Sequence, residues 1–300
     1  MIVITGATGN TGHVAAEALL AKGEKIRVVG RNAAKLQPYV QKGAEAFIGD
    51  VEDAASMTKA LEGAKVAYLL FPGSRDMEDP RAFQDRVSSS YATAVAASKI
   101  PYVVTLSSVG AQHEKGTGPI VGLHILEQKL NAVSGLNVLH LRPAQFMENL
   151  LMSLQAVRTM GMLPGGAKGD LAVAMIATRD IGDHAARRLA ACDFSGSSVQ
   201  YLLGPRDVTM NEVAPIIGAA IGKPKLSYMQ VPFLMLSPAM ASMGVPKKMV
   251  ELLIEMMKGA NEGLLTPTEP RSPANTTPTT IETFAAEVIA PAYASKTASA

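Results

Sequence analysis

The stretch that decides the fold is residues 1–12, MIVITGATGNTG. A strand-like run, Ile2–Thr5, leads into three glycines spaced three apart, Gly6, Gly9 and Gly12, and a helical pattern follows at once. This order is typical of a pyrophosphate-binding turn, because glycines let backbone amides approach the phosphates and the helix N-terminus offers free N–H groups. The stretch predicts a dinucleotide site; the alternative is an ordinary turn between a strand and a helix.

The composition indicates a well-packed globular protein. Of the 300 residues, 48% are hydrophobic and 18% charged, and 28 basic against 26 acidic side chains give a net charge of +2. The sequence has no long block of like charge and no basic stretch with interleaved aromatic residues, which argues against nucleic-acid binding. The late apolar stretch 233–257 contains prolines, lysines and glutamates, which argues against a membrane span.

The cysteine and histidine content indicates which cellular compartment and which kinds of site to expect. The single cysteine, Cys192, excludes an internal disulfide framework and is compatible with a reducing cytosol. Because the first predicted strand begins at residue 2, we expect no signal peptide. The five histidines show no metal-ligand spacing, so no metal is predicted. We expect a soluble cytoplasmic protein, monomeric or homodimeric, that acts on a small apolar molecule.

Apolar strand-like runs alternate with helical patterns over the first half of the chain. After the opening strand they recur at 25–29, 45–48, 65–70, 101–106 and 137–141, with helices expected at about 13–22, 33–42, 53–61, 80–98 and 119–134. Such alternation predicts an α/β fold with a doubly wound parallel sheet covered by helices on both faces.

Beyond Pro143 the strands become sparse, and we expect a smaller, mostly helical C-terminal lobe. We assign 1–144 to a cofactor-binding domain and 145–300 to the lobe and tail, with 171–203 returning to the first domain. The remaining expectations are strands at 171–176, 199–203 and 227–230, a loop at 266–280, a helix at 281–289 and a frayed tail at 294–300. The methionines from Met229 to Met257 are expected in the core; the alternative is a pocket lining for flat apolar substrates.

The residues after the second predicted strand select the cofactor. A site that prefers NAD places a carboxylate there for the ribose 2′-hydroxyl. Gly30, Arg31 and Asn32 occupy this position, so no carboxylate repels a 2′-phosphate and a guanidinium can bind it. With Lys35 one helical turn further on, the sequence predicts NADP(H) as the cofactor. The alternative is that Arg31 is a solvated surface charge.

Further residues are assigned to the cofactor by their position after predicted strands. Asp50 and Val51 follow the third strand and are placed to meet the adenine, although Asp50 could instead cap the next helix. The remaining assignments are Thr8, Asn10 and Thr11 in the glycine turn, Phe71 and Pro72 as a wall after the fourth strand, and Ser107 after the fifth.

Motifs along most of the chain resemble the NmrA-like group of atypical short-chain dehydrogenases and reductases. The matching pieces are TGATGNTG at 5–12, VVGRN at 28–32, GAEAFIGDVED at 43–53, LSSVGA at 106–111, HILEQKL at 124–130, SGLNVLHLRPAQFMENL at 134–150, TRDIGDHAARRL at 178–189 and YLLGPRDVTMNEVA at 201–214. The resemblance implies a Rossmann domain, a small C-terminal lobe, NADP(H) binding and a cleft between the two. Members of this group include NADPH-dependent quinone, azo and enone reductases, and others are redox sensors.

The usual catalytic pair of this superfamily is absent. Active short-chain reductases use Tyr-x-x-x-Lys, in which the lysine lowers the pKa of the tyrosine. None of the seven tyrosines has a lysine four residues later. The corresponding helix offers His124 and Glu127, which are three residues apart and share a face. They either line the cleft or lie on a solvated shoulder beside the buried stripe Leu123, Leu126, Leu130 and Val133.

Ser107 and Ser108 stand at the end of a central strand, where ligands bind in open α/β sheets. Ser108 could bond a substrate oxygen, or these serines could simply end the strand. We predict Ser108, His124 and Glu127 as catalytic residues, with His124 or Ser108 as hydrogen-bond donor to the acceptor. Phe146, Met147 and Asn149 are predicted to line the substrate pocket, although an apolar pair at a domain junction is often core.

The sequence therefore favours an NADPH-dependent oxidoreductase. It would transfer hydride to a quinone, an enone or a similar conjugated, apolar acceptor, and the cofactor would supply the hydride chemistry. Two alternatives remain at this point: an NADP(H)-binding redox sensor with little or no turnover, which the missing tyrosine favours, and an atypical reductase-fold enzyme acting on a polyketide-like substrate.

Overall fold

The computed structural model describes residues 1–72 and 78–295. The strands are β1 (Ile2–Thr5), β2 (Ile26–Gly30), β3 (Glu45–Ile48), β4 (Val66–Leu69), β5 (Tyr102–Leu106), β6 (Asn137–Pro143), β7 (Gln145–Phe146), β8 (Met162–Gly165), β9 (Val173–Ile176), β10 (Ser197–Leu202), β11 (Asp207–Val208) and β12 (Ser227–Gln230). The helices are α1 (Asn10–Ala21), α2 (Ala33–Val40), α3 (Ala54–Leu61), α4 (Pro80–Ser98), α5 (Val121–Asn131), α6 (Leu154–Met160), α7 (Thr178–Ala191), α8 (Met210–Ala220), α9 (Phe233–Ser242), α10 (Lys247–Asn261), α11 (Ile281–Phe284) and α12 (Ala290–Ser295).

A parallel sheet forms the centre of the molecule and confirms the predicted doubly wound α/β fold. Its strand order is β10-β6-β5-β4-β1-β2-β3, and every neighbouring pair is parallel. From β1 the chain first builds outward through β2 and β3, and then crosses to the other side of β1 for β4, β5 and β6. The order therefore reverses between β1 and β4, where an open α/β sheet forms a crevice at the carboxyl ends of its strands.

Each face of the sheet has its own apolar core, because successive side chains of a strand point to opposite faces. Ile2 and Ile4 belong to the core beneath α1 and α7, whereas Val3 belongs to the core beneath α3, α4 and α5. All three side chains are buried. Burial on both faces explains why the strand sequences are continuous apolar runs rather than alternating patterns.

The C-terminal part of the chain builds a smaller third core. Its buried residues come from the segment 147–163 and from β9, α8 and α11, and they include Leu150, Val157, Val213 and Phe284. Short strands accompany it: β9 lies between β7 and β11, and β8 pairs with β12. Strand β10 instead joins the central sheet beside β6. The exact boundaries of the two domains remain a prediction.

The expectation that the methionines from Met229 to Met257 are core residues is wrong, because none of them is buried. No residue of α9 is buried. Met235 and Met243 are 63% and 74% exposed. Helix α9 is apolar along most of its length, so no polar face is set against an apolar stripe, and Leu234 is also largely exposed.

Element boundaries differ from the predicted ones mainly at helix ends. Helix α1 begins at Asn10, before Gly12, and the last helical segment continues to Ser295 rather than ending at 289. Residues 294 and 295 of the predicted tail are thus helical, and 296–300 lie outside the described residues. In the described part of the chain, no helix has the length and apolarity that a membrane crossing needs.

Candidate functional site

A cavity of about 970 Å³ opens at the carboxyl ends of the central strands, where the strand order reverses. This volume is at the upper end of the range for small-molecule and cofactor sites. Of the sequence-predicted cofactor residues, all but Gly12 and Ser107 line it: Gly6, Thr8, Gly9, Asn10, Thr11, Arg31, Asn32, Lys35, Asp50, Val51, Phe71 and Pro72. Segments that are far apart in sequence therefore meet in one cleft.

Helix α1 points an uncapped N-terminus into this cavity. Its N-cap residue is Gly9, which has no side chain to bond the first N–H groups, and its first turn contains no acidic residue. Asn10 and Thr11, the first two helical residues, line the cavity. Their N–H groups lack partners within the helix, so they and the positive end of the helix dipole are available to an anion.

The glycine turn requires two of its three glycines for steric reasons. Gly6 has a φ of +66°, a conformation that L side chains rarely adopt. Gly12 lies inside α1, and a Cβ atom there would be 2.2 Å from the carbonyl oxygen of Gly6. Gly12 therefore acts by letting α1 pack against the turn, which is why it does not line the cavity.

Tyrosine and threonine side chains that the sequence analysis missed hold the turn in place. Tyr39 of α2 donates a hydrogen bond to the carbonyl oxygen of Ala7 within the turn. On β1, Thr5 Oγ1 donates to the Tyr68 carbonyl at 3.1 Å and accepts from the Leu70 N–H at 3.0 Å. These contacts join elements distant in sequence, so no local motif signals them.

At the end of β2, the side chains of Arg31 and Lys35 have no partner among the described residues, whereas the side-chain amide of Asn32 is hydrogen-bonded. Asn32 is the N-cap of α2, and its Oδ1 accepts from the N–H groups of Ala34 and Lys35. Arg31 is exposed and lines the cavity. Within the described residues, no hydrogen bond or ion pair engages its guanidinium. Arg31 and Lys35 therefore leave positive charge at this wall of the cavity.

The alternative that Asp50 caps the next helix is wrong. Asp53 is the N-cap of α3, and its Oδ1 accepts from the N–H groups of Ala55 and Ser56. Asp50 instead lines the cavity, and its Oδ1 accepts from the Glu52 N–H at 3.0 Å. The two aspartates are three residues apart, and the sequence alone did not show which one begins the helix.

Glu127 lies in a buried ion pair, so both expectations for it, cleft lining and solvated shoulder, are wrong. Its side chain is 3% exposed, and Arg142 Nη2 donates to Oε2 at 2.5 Å. Arg142 Nε and Ser107 Oγ both donate to Oε1, at 3.0 Å and 2.5 Å. The carboxylate is thus fully engaged, and Ser107 does not line the cavity because its hydroxyl points to Glu127.

Arg142 continues this network toward the C-terminal segment. Burial disfavours its charge, but the hydrogen bonds and the charge of Glu127, together with the contact to Tyr201, outweigh burial and raise the pKa of the guanidinium. Its Nη1 donates to the Tyr201 hydroxyl at 3.2 Å, which in turn lies 3.0 Å from Thr268 Oγ1. We call Ser107, Glu127, Arg142 and Tyr201 the edge network, because it joins β5, α5, β6 and β10 at one edge of the sheet.

The polar hydrogens of the two other predicted catalytic residues, His124 and Ser108, are bonded to backbone carbonyl oxygens. His124 is half-buried, and its Nδ1 lies 2.9 Å from the carbonyl oxygen of Ala111. A carbonyl only accepts, so Nδ1 carries the proton and Nε2 of the neutral ring carries a lone pair. Ser108 Oγ donates to the Val109 carbonyl at 2.9 Å. Neither residue lines the cavity.

The predicted substrate-pocket residues separate from one another. Phe146 lines the cavity beside Leu106, Leu70 and Phe71, which together form its apolar end. Met147 is 1% exposed and belongs to the core of the C-terminal lobe. Asn149 is exposed and does not line the cavity. The structure therefore supports only Phe146 of these three as a lining residue.

Charged residues that the sequence analysis missed also line the cavity. Glu52 and Arg86 form an ion pair at 2.7 Å, and Asp79 pairs with Lys248 of α10 at 2.7 Å. Glu52, Asp79 and Arg86 all line the cavity. The helical pattern of α4 gave no signal that Arg86 would reach the ends of β3. The described residues contain no histidine, cysteine and carboxylate cluster that could hold a metal ion.

Comparison with known proteins gives this site its context. The NmrA-like family matches residues 1–285. The chain belongs to the NmrA-like family. Among its curated relatives, quinone oxidoreductase 2 of Escherichia coli is 30% identical over 88% of this chain and 89% of its own length. The NAD(P)H azoreductase of Xenophilus azovorans is 26% identical over 85% of this chain and 86% of its own.

A solved structure of the same kind confirms the NmrA-like fold. The NADPH-dependent quinone oxidoreductase of Escherichia coli, crystallised with NADPH, superposes with a TM-score of 0.81. It is 26% identical and covers 96% of this chain and 100% of its own. The family membership inferred from the sequence motifs is therefore confirmed, and so is the fold.

Proposed function

We propose that this NmrA-like protein is an NADPH-dependent reductase of quinones and related conjugated, apolar acceptors. The observation that carries the proposal is the uncapped N-terminus of α1, which opens into the same cavity as Arg31 and Lys35, two charges without a partner among the described residues. Free N–H groups suit a pyrophosphate, and a free guanidinium suits a 2′-phosphate. The names of both curated relatives support reductase chemistry.

In this proposal the cavity holds the whole cofactor, with the adenosine at one end, which we call the adenosine end, and the nicotinamide at the apolar end. The N–H groups of Asn10 and Thr11 bind the pyrophosphate, and Arg31 with Lys35 binds the 2′-phosphate. Asp50 and Val51 face the adenine. Phe71, Pro72, Leu106 and Phe146 line the end where the reacting ring and the acceptor would meet. NADPH supplies the hydride, and the protein supplies binding and orientation.

We further propose that solvent supplies the proton that completes quinone reduction. The donors nearest the end of β5 are already committed: Ser107 to Glu127, Ser108 to Val109 and His124 Nδ1 to Ala111. Hydride addition to a quinone gives a hydroquinone anion, which takes a proton from water without a protein acid. Glu127 and His124 are then positioning residues, and His124 donates from Nε2 only as an imidazolium.

The test combines cofactor binding with turnover. We expect the protein to bind NADPH by isothermal titration and to oxidise it when a quinone is added, with enones and azo dyes as further acceptors. His124→Ala should retain wild-type NADPH affinity and most of its turnover, because solvent is the proton source. Tight NADPH binding without oxidation by any acceptor would contradict the reductase proposal. A His124→Ala variant that binds NADPH normally but has lost turnover would contradict the role of solvent.

The proposed location is the cytoplasm. Cys192 is the one cysteine of the sequence, and a chain without a disulfide framework suits a reducing compartment. NADPH-dependent reduction needs a supply of reduced cofactor, which the same compartment provides.

A further inference from the structure

An ion pair lies at the adenosine end of the cavity, the end where Asp50 and Val51 are proposed to face the adenine. Arg86 on α4 and Glu52 in the loop between β3 and α3 both line this end, together with Asp50 and Val51. Arg86 Nε donates to Glu52 Oε2 at 2.7 Å. The two side chains come from different elements, so the pair fixes the guanidinium of Arg86 beside the carboxyl end of β3.

Stability does not account for this pair. The side chains of Arg86 and Glu52 are 57% and 31% exposed. Exposed ion pairs contribute little to folding, because solvent screens them and two long side chains lose freedom. A carboxylate on the wall of a cavity for a polyanionic cofactor is moreover unfavourable by Coulomb's law. Glu52 therefore calls for another explanation.

The pairing changes what Arg86 can bind. Glu52 accepts from its Nε and offsets part of its positive charge, so Arg86 attracts a phosphate less than an unpaired arginine would. Its flat face remains available, and guanidinium groups stack well on aromatic rings. Positive charge for the 2′-phosphate comes instead from Arg31 and Lys35 at the end of β2.

We infer that Arg86 binds the adenine base of the cofactor by stacking and that Glu52 orients it for this contact. The inference rests on the proposed function, since it assumes a dinucleotide in the cavity. It assigns the two ends of the adenosine moiety to different arginines: Arg31 to the 2′-phosphate and Arg86 to the base. Arg86 then contributes affinity for NADPH and NADH alike, without contributing to the choice between them.

The first experiment measures dissociation constants of NADP⁺, NAD⁺ and 2′,5′-ADP by isothermal titration. Arg86→Met should weaken all three by about threefold to thirtyfold, the range of one cation–π contact, and leave the ratio of NADP⁺ to NAD⁺ unchanged. Arg86→Lys should also weaken them, because it keeps the charge but loses the planar face. Arg206→Met is the matched control, since Arg206 is an exposed arginine paired with glutamates outside the cavity.

The direction in which Glu52→Ala changes cofactor affinity distinguishes two possible roles of Glu52. If Glu52 acted only through its charge, its removal would tighten binding of an anionic cofactor. If Glu52 orients Arg86, its removal weakens binding of 2′,5′-ADP, which is the result we expect. Turnover with reduced nicotinamide mononucleotide, which lacks adenine, should be the same in wild type, Arg86→Met and Glu52→Ala.

Several outcomes would overturn the inference while leaving the proposed function intact. They are unchanged affinities in Arg86→Met, a loss confined to NADP⁺, full affinity in Arg86→Lys, or tighter binding in Glu52→Ala. Failure of the wild-type protein to bind NADP⁺ at all would overturn the proposed function, and this inference with it.

Discussion

Polar groups serve opposite purposes in two regions: the cavity wall formed by α1 and the end of β2, and the edge of β5 and β6, whose polar groups do not line the cavity. At the wall formed by α1 and the end of β2, the N-terminus of α1 has no side-chain cap and Arg31 has no partner within the described residues. At the edge of β5 and β6, Glu127, Arg142, Ser107, Ser108 and His124 bond to one another or to the backbone. Free groups can recognise a ligand, whereas committed groups can only hold positions. The comparison supports the proposal that α1 and Arg31 recognise the cofactor, and it favours a structural role for the groups at β5 and β6.

The largest effect is expected in the edge network, because its ion pair is buried. Arg142→Met leaves the Glu127 carboxylate buried without a counterion and should lower the free energy of unfolding by about 3–5 kcal/mol. The double variant Glu127→Leu/Arg142→Met should recover most of this loss, since neither charge then remains. Urea denaturation measures both, and Arg206→Met, at an exposed pair, should leave the midpoint almost unchanged.

A loss in Arg142→Met no greater than that in Arg206→Met would show that the buried pair at β6 does not hold its region of the fold in place. A double variant as unstable as the single one would show that packing, rather than the unpaired charge, causes the loss.

A pH-dependent effect should arise beside the edge network, at His140 of β6. Burial lowers its pKa to about 4, and its ring bonds Thr105 and Asn131. In the unfolded chain the pKa is near 6.5, so the unfolded state takes up a proton first as the pH falls. Stability from this group is therefore fully present above about pH 6.5 and is lost toward pH 4, by at most about 3 kcal/mol.

The measurement is the free energy of unfolding at several pH values between these limits. His140→Gln should flatten its dependence on pH, whatever its absolute stability, and His113→Gln, at a partly exposed ring, should not. Equal slopes in the wild type and in His140→Gln would show that this histidine is not held neutral in the folded protein.

The sequence predicted well which residues of α1 and β2 line the cavity, because their signals are local. Gly6, Gly9 and the start of α1 lie within a few residues of one another, and Arg31 directly follows β2. The family motifs extended this prediction to the fold. Local sequence failed where two candidates lay close together, as with Asp50 and Asp53 at the start of α3.

The edge network could not be predicted, because its members come together only in the folded chain. Glu127 and Arg142 are 15 residues apart and lie on α5 and β6, and nothing in the helical pattern of α5 shows that a carboxylate meets an arginine. The same reason hid Tyr39, which reaches Ala7 from 32 residues away. The exposure of Met235 on α9 and of Met243 just after it was missed because hydrophobic residues were assumed to be buried.

We expect the charge of Arg31 to select NADPH over NADH, and the most direct test is the pair of dissociation constants for these two cofactors. Arg31→Ala should weaken NADPH by roughly tenfold to a hundredfold, the value of a charge-assisted contact, and leave NADH almost unchanged. Arg206→Ala, at an exposed arginine outside the cavity, should change neither constant. Equal losses of NADPH and NADH in Arg31→Ala, or no loss of either, would contradict the account.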